Sequence, residues 1–402
     1  MKKVFMIILS AALTAVMFSS CGKDDKNDNK PTDYSEYEYS KLTPEQQKEK
    51  LASDAKATIE KLNGLSNASG IELLLSFNAL SEISPLFGED EESEFAPAAK
   101  SAKAAEALED IVYIKDFYGK FTWNAAAQKW EQEESADKLI IVLPAKRGGT
   151  ANNGQIEITG ESSGNFAEDV ELPKSLKASL VIDGKSVGSI EVKGENVNDA
   201  SAPKSASVKL TVDDYSIEYA FAKGSKNTTS LSFKKGSETL LSGAIDLTGD
   251  LDKFVEDEDV ANFENGNYEL KVNDKIAYAG KVDLKSLSAE LQKIVEKYNN
   301  LPNTDANRKA ILDEENAAMN QYMKIYLISL SDKTKIAEVH FDVIEEQGEY
   351  WNGEEYVTGT YYNSVENLVF GDGTKVAIDV YFGEGFDTVT KAWEDFISKF
   401  EK

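Results

Sequence analysis

The strongest constraint on the fold is a strand–turn–strand pattern that recurs between residues 176 and 382. Five segments alternate apolar and polar residues on both sides of a short polar turn. The five turns lie at Asp183-Gly184, Lys235-Gly236, Asn273-Asp274, Ser331-Asp332 and Asp372-Gly373. Asp-Gly between alternating arms is a strong local indicator of a β-hairpin. We therefore expect an antiparallel sheet with one buried and one solvated face.

The hairpins share neither a fixed period nor a common motif, which favours a long meander over a propeller or solenoid. The last one alternates clearly, with Leu368 and Phe370 on one arm and four apolar residues on the other, Val376, Ile378, Val380 and Phe382. We expect this second arm to be a strand up to Phe382. An earlier hairpin carries Trp123 and Trp130 on its two arms, and Leu139–Leu143 forms a short buried strand that ends at Pro144.

Helical periodicity precedes the strands. Thr43-Pro44-Glu45-Gln46 has the form of a capping box, and the helix that it begins is expected to end at Gly64. Ser69 with Glu72 predicts a second cap, for a helix stopped by Pro85. We expect these two helices to form a helical hairpin within a helical segment, residues 42–112, that also contains a weaker alanine-rich helix from Pro97 to Ile111.

Further helices interrupt and close the sheet. Leu287–Tyr298 and Asp305–Met323 form a helical pair on either side of Pro302, and an amphipathic helix with Val389 and Trp393 on one face ends the chain. Strands accompanied by such helices indicate an α+β fold. We expect residues 113–402 to form a large antiparallel β-sheet, with a helical insertion near 287–323 and helices on one face.

The N-terminus has the features of an export signal. Lys2 and Lys3 precede the apolar run Val4–Phe18, which is shorter than the roughly 20 residues that span a bilayer. Ser19 and Ser20 then lead into Cys21, the only cysteine. This arrangement resembles the lipobox of bacterial lipoproteins. The resemblance implies that residues 1–20 are a signal peptide and that Cys21 becomes the acylated first residue, which anchors the protein in a membrane.

The residues after Cys21 indicate where in the cell envelope the protein is located. Lys23, Asp24 and Asp25 resemble the surface-export signal of Bacteroidota lipoproteins, which implies an outer-membrane, cell-surface location. The alternative is that they only begin a solvated tether. Residues 21–41 are rich in charged and small polar residues, so we expect a flexible tether there.

Charge and cysteine content narrow the classes of partner and chemistry. The formal net charge is −27, and removal of Lys2 and Lys3 with the signal peptide takes it to −29. Nucleic-acid binding is disfavoured, because it depends on Lys and Arg that neutralise phosphates. With Cys21 acylated, the mature chain has no thiol for a disulfide or a thiolate metal site. The sequence indicates no cofactor and no metal centre.

Groups that could support catalysis are sparse. His340, the only histidine, lies between Glu338 and Asp342, and we interpret it as an exposed histidine between carboxylates because alternate residues of a strand do not converge. Acidic runs at Glu89–Glu92 and Asp246–Asp259 lack the spacing of a calcium-binding EF-hand, and solvated loops are the simpler interpretation. A hydrolase that uses two carboxylates stays open as a residual possibility.

The best candidates for ligand binding are four aromatic residues close to one turn: Tyr350, Trp351, Tyr356 and Tyr361. Aromatic rings among polar groups stack on sugars or anchor protein partners, although packing against neighbouring strands is the alternative. The sequence thus favours a non-enzymatic, lipid-anchored surface protein that binds a glycan or an extracellular protein. The other hypothesis is a periplasm-facing carrier or chaperone for lipids or lipoproteins, by analogy of fold alone.

Overall fold

The fold is α+β, with long antiparallel strands and flanking helices. The computed structural model describes residues 31–84, 86, 117–133, 137–167, 170–195, 204–257, 260–302, 304–351, 356–383 and 386–398. These residues contain sixteen strands and seven α-helices. They divide into two compact units, within 60–240 and 395–398 for the first and within 31–59 and 241–394 for the second. Each unit combines strands with helices, so this division differs from the predicted boundary between a helical segment and a sheet domain.

Nine strands belong to the first unit. They are β1 (Gly119–Asn124), β2 (Lys129–Glu133), β3 (Leu139–Leu143), β4 (Gly154–Ala167), β5 (Val170–Ile182), β6 (Lys185–Glu195), β7 (Ser205–Val212), β8 (Tyr215–Ala222) and β9 (Lys226–Lys235). From β3 to β9 each strand pairs with the next along the chain, and β1 lies between β3 and β2. All these pairs are antiparallel except β1 with β3, which is parallel.

The core of the first unit forms between one face of the sheet and a helix, α2 (Ser69–Ile83). Trp123 and Trp130 are register partners in the β1–β2 hairpin, and their rings meet edge to face at 5.2 Å, as expected of a hairpin with an aromatic residue on each arm. The opposite face carries ion pairs such as Lys138–Glu157 at 2.8 Å. One buried and one solvated face follow from the alternation of side chains along each strand.

The second unit contains most of the helices. The helices with most or all of their residues there are α1 (Pro44–Leu62), α3 (Leu251–Asp257), α4 (Leu284–Tyr298), α5 (Asp305–Tyr322), α6 (Ile378–Gly383) and α7 (Asp387–Ile397). Its strands are β10 (Glu238–Gly249), which begins at the end of the first unit, β11 (Phe263–Val272), β12 (Ile276–Asp283), β13 (Met323–Ser329), β14 (Thr334–Trp351), β15 (Tyr356–Phe370) and β16 (Lys375–Ala377). These strands pair antiparallel in chain order.

Helices cover one face of the second unit's sheet, as the sequence predicts. Leu51 of α1 lies in the same core cluster as Leu327, Val339 and Leu368 of the sheet. Val389 of α7 packs against this cluster. The inserted pair is α4 and α5, whose N-cap residues are Asp283 and Thr304; the side chain of each accepts a hydrogen bond from a backbone N–H of the first turn.

The five predicted turns are all confirmed, and their backbone conformations explain why. Asp183 and Gly184 both have positive φ, 49° and 73°, and Asn273 and Asp274 have 51° and 49°. Two consecutive residues with positive φ define the type I′ turn, whose twist matches that of paired strands. The β7–β8 hairpin was not predicted; its turn is Asp213-Asp214, and Asp213 has a φ of 48°.

Two local predictions are wrong for tertiary reasons. The residues from Ile378 to Gly383 form α6 rather than a strand, and this places Tyr381 in the core against Phe370, with ring centroids 5.4 Å apart. Ser69 does not cap α2, because it is the first residue of the helix and Ala68 occupies the N-cap position; the N–H of Ser69 donates to Asp213 Oδ2 at 2.8 Å. By contrast, the predicted capping box is present, with reciprocal bonds between Thr43 and Gln46.

Part of the predicted tether is packed rather than flexible, because residues 33–40, here called the N-terminal strap, lie on the second unit's sheet. Tyr34 is buried against Ala277 and Ala279, whose small side chains leave room for its ring. Ser40 N donates to Lys335 O at 2.7 Å, so the strap also pairs with β14. The aromatic residues of this polar segment therefore offset the entropy of ordering it. Residues 21–30 of the predicted tether, the signal peptide and the predicted helix at 97–111 lie outside the described residues.

Candidate functional site

A two-stranded ribbon in the second unit carries the predicted aromatic residues. β14 and β15 stay paired as far as Trp351 opposite Tyr356. However, β13 pairs with β14 only as far as Glu338, and β16 pairs with β15 only from Asn367 onward. The part beyond these neighbouring strands, here called the outer ribbon, comprises residues 343–351 and 356–366. In the outer ribbon the described strands pair with each other and with no third strand.

Helix α5 fixes the base of this ribbon. The amide side chain of Asn320 donates to Phe341 O and accepts from Phe341 N, both at 2.8 Å. It thereby replaces the ladder hydrogen bonds that a neighbouring strand would make at this position. One turn earlier, Asn316 Oδ1 accepts from Ser364 Oγ at 2.7 Å. The ribbon therefore leaves the sheet from a base held by specific polar contacts.

The four predicted binding residues divide between the two faces of the ribbon. The register sets Trp351 opposite Tyr356, and Tyr361 opposite Glu346. Since neighbouring residues of a strand belong to opposite faces, positions 350 and 361 belong to one face and positions 351 and 356 to the other. Tyr356 is 69% exposed. The side chains of Tyr350 and Trp351 lie outside the described set.

Tyr361 is held within the ribbon by an acid on the facing strand. A hydrogen bond with Glu346 raises the pKa of the Tyr361 hydroxyl. Asn363 Nδ2 donates to the same carboxylate at 2.5 Å. On the other face, Lys309 Nζ of α5 lies 5.9 Å from the centroid of the Tyr362 ring. Of the predicted residues with a described side chain, Tyr356 is the more exposed.

His340 belongs to a surface network of ion pairs. Its Nε2 lies 3.8 Å from Glu338 Oε1, and the side chain is 41% exposed, in agreement with the interpretation of an exposed histidine between carboxylates. Burial by itself would raise the pKa of Asp342, but hydrogen bonds from Lys375 and Asn367 outweigh it and lower that pKa. These groups neutralise one another and give no arrangement of nucleophile and base.

The acidic runs have local roles where they are described. Asp250 Oδ1 accepts from Lys253 N at 3.1 Å, which caps the short helix α3. Glu89–Glu92 and the end of the second run, Glu258 and Asp259, lie outside the described residues. Across the described part of the chain, no three or more His, Cys, Asp or Glu side chains are grouped as metal ligands would be.

The residues of the predicted anchor and export signal, Cys21, Lys23, Asp24 and Asp25, also lie outside the described residues. Among the helices that are described, none has the length and apolar character needed to cross a membrane. Comparison of the chain with protein-family models, with curated proteins and with solved structures gave no match.

Sequence reasoning missed one feature of the outer ribbon, the unpaired edge of β15. Strand pairing is a tertiary property, so the alternation of residues 356–366 predicts a strand but not which of its edges is covered. One indicator is present in the sequence: β15 contains no lysine, arginine or proline, the residues that usually protect an exposed edge.

Proposed function

We propose that this protein is a non-enzymatic cell-surface lipoprotein, anchored through Cys21, that binds an extracellular protein through the outer ribbon. The observation that carries the binding role is the ribbon itself, which extends past its neighbouring strands and exposes Tyr356. Exposed aromatic residues are enriched among those that dominate protein interfaces. The anchor and the surface location rest on the resemblance of residues 1–25 to lipoprotein signals.

A protein ligand is favoured over a glycan by the division of the aromatic positions. Stacking on a sugar uses rings that share one surface, whereas the four aromatic positions divide two and two between the opposite faces of a thin ribbon. A protein partner can contact a ribbon along one edge and both faces. The hydroxyl of Tyr361 is also bonded to Glu346, which fixes its ring rather than leaving it to a ligand.

The surface location is tested by proteinase treatment of intact cells, followed by immunoblotting of the full-length protein. We expect digestion without permeabilisation of the outer membrane, while a periplasmic control protein stays intact. Protection in intact cells and digestion only after permeabilisation would contradict surface display and would favour the periplasm-facing carrier.

The binding role is tested with the purified, full-length lipoprotein in detergent, against immobilised extracellular proteins and a glycan panel. We expect Tyr356→Ala to weaken binding of a protein ligand about tenfold or more, as is typical of an aromatic hot spot. Trp393→Ala is the matched control, since Trp393 is an aromatic residue of α7 that is 46% exposed, and it should change the affinity less than about twofold. Binding of a glycan that depends on Tyr356 would contradict the protein version, and ligands indifferent to Tyr356 would contradict a role for the ribbon.

A further inference from the structure

The pairing of β15 determines which of its backbone N–H and C=O groups face away from β14. Phe370 N donates to Thr374 O at 2.9 Å across the β15–β16 turn, so the backbone groups of Phe370 face away from β14. Outward and inward residues alternate along an antiparallel strand, and the β14–β15 register has no shift. On β15 the outward residues are therefore the even-numbered ones, and those without a partner strand among the described residues include Thr358, Thr360, Tyr362, Ser364 and Glu366.

The other edge of the ribbon gives an independent check of this alternation. Phe341 is an odd-numbered residue of β14, and its N–H and C=O should face away from β15 if the even-numbered residues of β14 pair with β15. They do, because both are bonded to the side chain of Asn320. The alternation therefore holds on both strands of the ribbon.

The edge of β15 lacks the protection seen at two other edge strands. β2 is five residues long and carries Lys129, Glu131 and Glu133, and β16 is three residues long and leads directly into α6. Within the unpaired part of β15, residues 358–366 form a stretch of nine residues with a single charged residue, Glu366. Long edges without charges or proline are templates for an added strand.

Charge indicates the chemistry of the added strand. The outer ribbon contains Glu345, Glu346, Glu349 and Glu366, and the sequence from 343 to 366 has no lysine or arginine. Lys309 lies beside the Tyr362 ring but is paired with Asp313 at 2.6 Å. A cationic segment is therefore attracted to the ribbon. Two copies of this chain would bring like charges together, and the net charge of −27 adds to that repulsion.

We infer that the partner supplies an extended, cationic segment that pairs with β15 along residues 358–366. This inference rests on the proposed function and names the chemistry of its ligand. Nine residues of strand span about 30 Å. Backbone hydrogen bonds to the outward residues hold the segment in place, and its lysine or arginine side chains lie in the field of the ribbon's glutamates.

The test uses the full-length lipoprotein and a fluorescently labelled nine-residue peptide that alternates lysine with valine or threonine. A peptide with glutamate in place of lysine is the charge control. Fluorescence anisotropy is recorded at low and high salt for the native protein, Thr360→Pro and Thr360→Ala. Proline removes the outward N–H of residue 360 without breaking a bond to β14, so the hairpin is expected to persist. Alanine removes the same side chain but keeps that N–H.

The lysine peptide should bind the native protein and Thr360→Ala with affinities within about twofold of each other, and Thr360→Pro about tenfold or more weakly. Added salt should weaken the binding, and the glutamate peptide should not bind. Binding of the lysine peptide that is equal in Thr360→Pro, or absent in the native protein, would overturn the inference. Reversible dimerisation of the native protein in sedimentation, lost in Thr360→Pro, would instead identify a second copy as the occupant. If the peptide fails while a protein ligand still depends on Tyr356, the proposed function stands and only the strand-pairing inference falls.

Discussion

Removal of one hydroxyl group from Tyr34 would test how firmly the N-terminal strap is held. The Tyr34 side chain is buried, at 3% exposure, and its hydroxyl donates to Glu269 Oε1. Glu269 is buried too, and its other oxygen pairs with Lys271 at 2.9 Å. Phenylalanine would fill the same space, so Tyr34→Phe would leave one carboxylate oxygen without its donor and would also remove the hydrogen bond between the Tyr34 hydroxyl and Thr32.

The expected magnitude follows from that geometry. A hydrogen bond to a buried charged group contributes about 1.5–3 kcal/mol. The strap should therefore open about 10 to 150 times more often in Tyr34→Phe than in the native protein. Unfolding of the whole chain is not needed for this loss, because the contacts of Tyr34 connect the strap to one sheet face.

Hydrogen exchange measures this opening directly. Ser40 N donates to Lys335 O, and Lys335 N donates to Glu38 O at 2.8 Å, so both amides report the docked strap. Tyr37→Phe is the matched control, since that ring packs on Tyr34 with centroids 5.2 Å apart, while its hydroxyl makes no hydrogen bond within the described residues. Exchange at these amides that rises less than about threefold in Tyr34→Phe, or equally in Tyr37→Phe, would refute the reasoning.

Three other predictions concern different parts of the molecule. Hydrogen bonds from Ser35 and then the charge of Lys281 lower the pKa of Asp33 to about 2. The stability that this carboxylate contributes is therefore present above pH 4 and lost as the pH falls toward 2. Hydrogen exchange at the Ser40 amide should reveal this loss in the native protein and not in Asp33→Asn. Trp130 is fully buried and its indole donates to Ser84 O at 2.9 Å, so Trp130→Ala should cost about 3–5 kcal/mol in urea unfolding, against under about 1 kcal/mol for the half-exposed Trp393→Ala. Asn320→Ala should raise exchange at the Phe341 amide about tenfold and leave Leu327 of β13 unchanged, and equal exchange at Phe341 would contradict the role of Asn320 at the ribbon base.

Patterns that depend on neighbouring residues were predictable from the sequence. Each of the five turns needs particular backbone angles at one or two positions, and residues such as Asp183 and Gly184 adopt them at low cost. The capping box at Thr43 and the inserted helices have the same origin, since their polar contacts reach only three or four residues along the chain. Trp123 and Trp130 share one face of a hairpin by alternation alone.

Features that depend on residues far apart in the chain were not predictable. Tyr381 belongs to a helix because its hydroxyl reaches Pro44 O at 3.0 Å, more than 300 residues away. At the start of α2 the N–H of Ser69, the predicted cap, donates to the carboxylate of Asp213, which the β7–β8 turn brings there. The candidate site follows the same rule, because its aromatic residues were found by composition, whereas their division between two faces required the β14–β15 register.

The sequence by itself determined where five of the hairpins turn, where most helices begin and end, and which short segment carries the aromatic residues of the candidate site, because local backbone preferences and side-chain periodicity act over a few residues. Only the tertiary structure decided that Tyr34 holds the strap on the sheet, and that β15 continues past its neighbours with one edge unpaired. The physical reason is that burial and strand pairing depend on which distant residues are brought into contact, and the sequence of one strand does not specify which strand pairs with it.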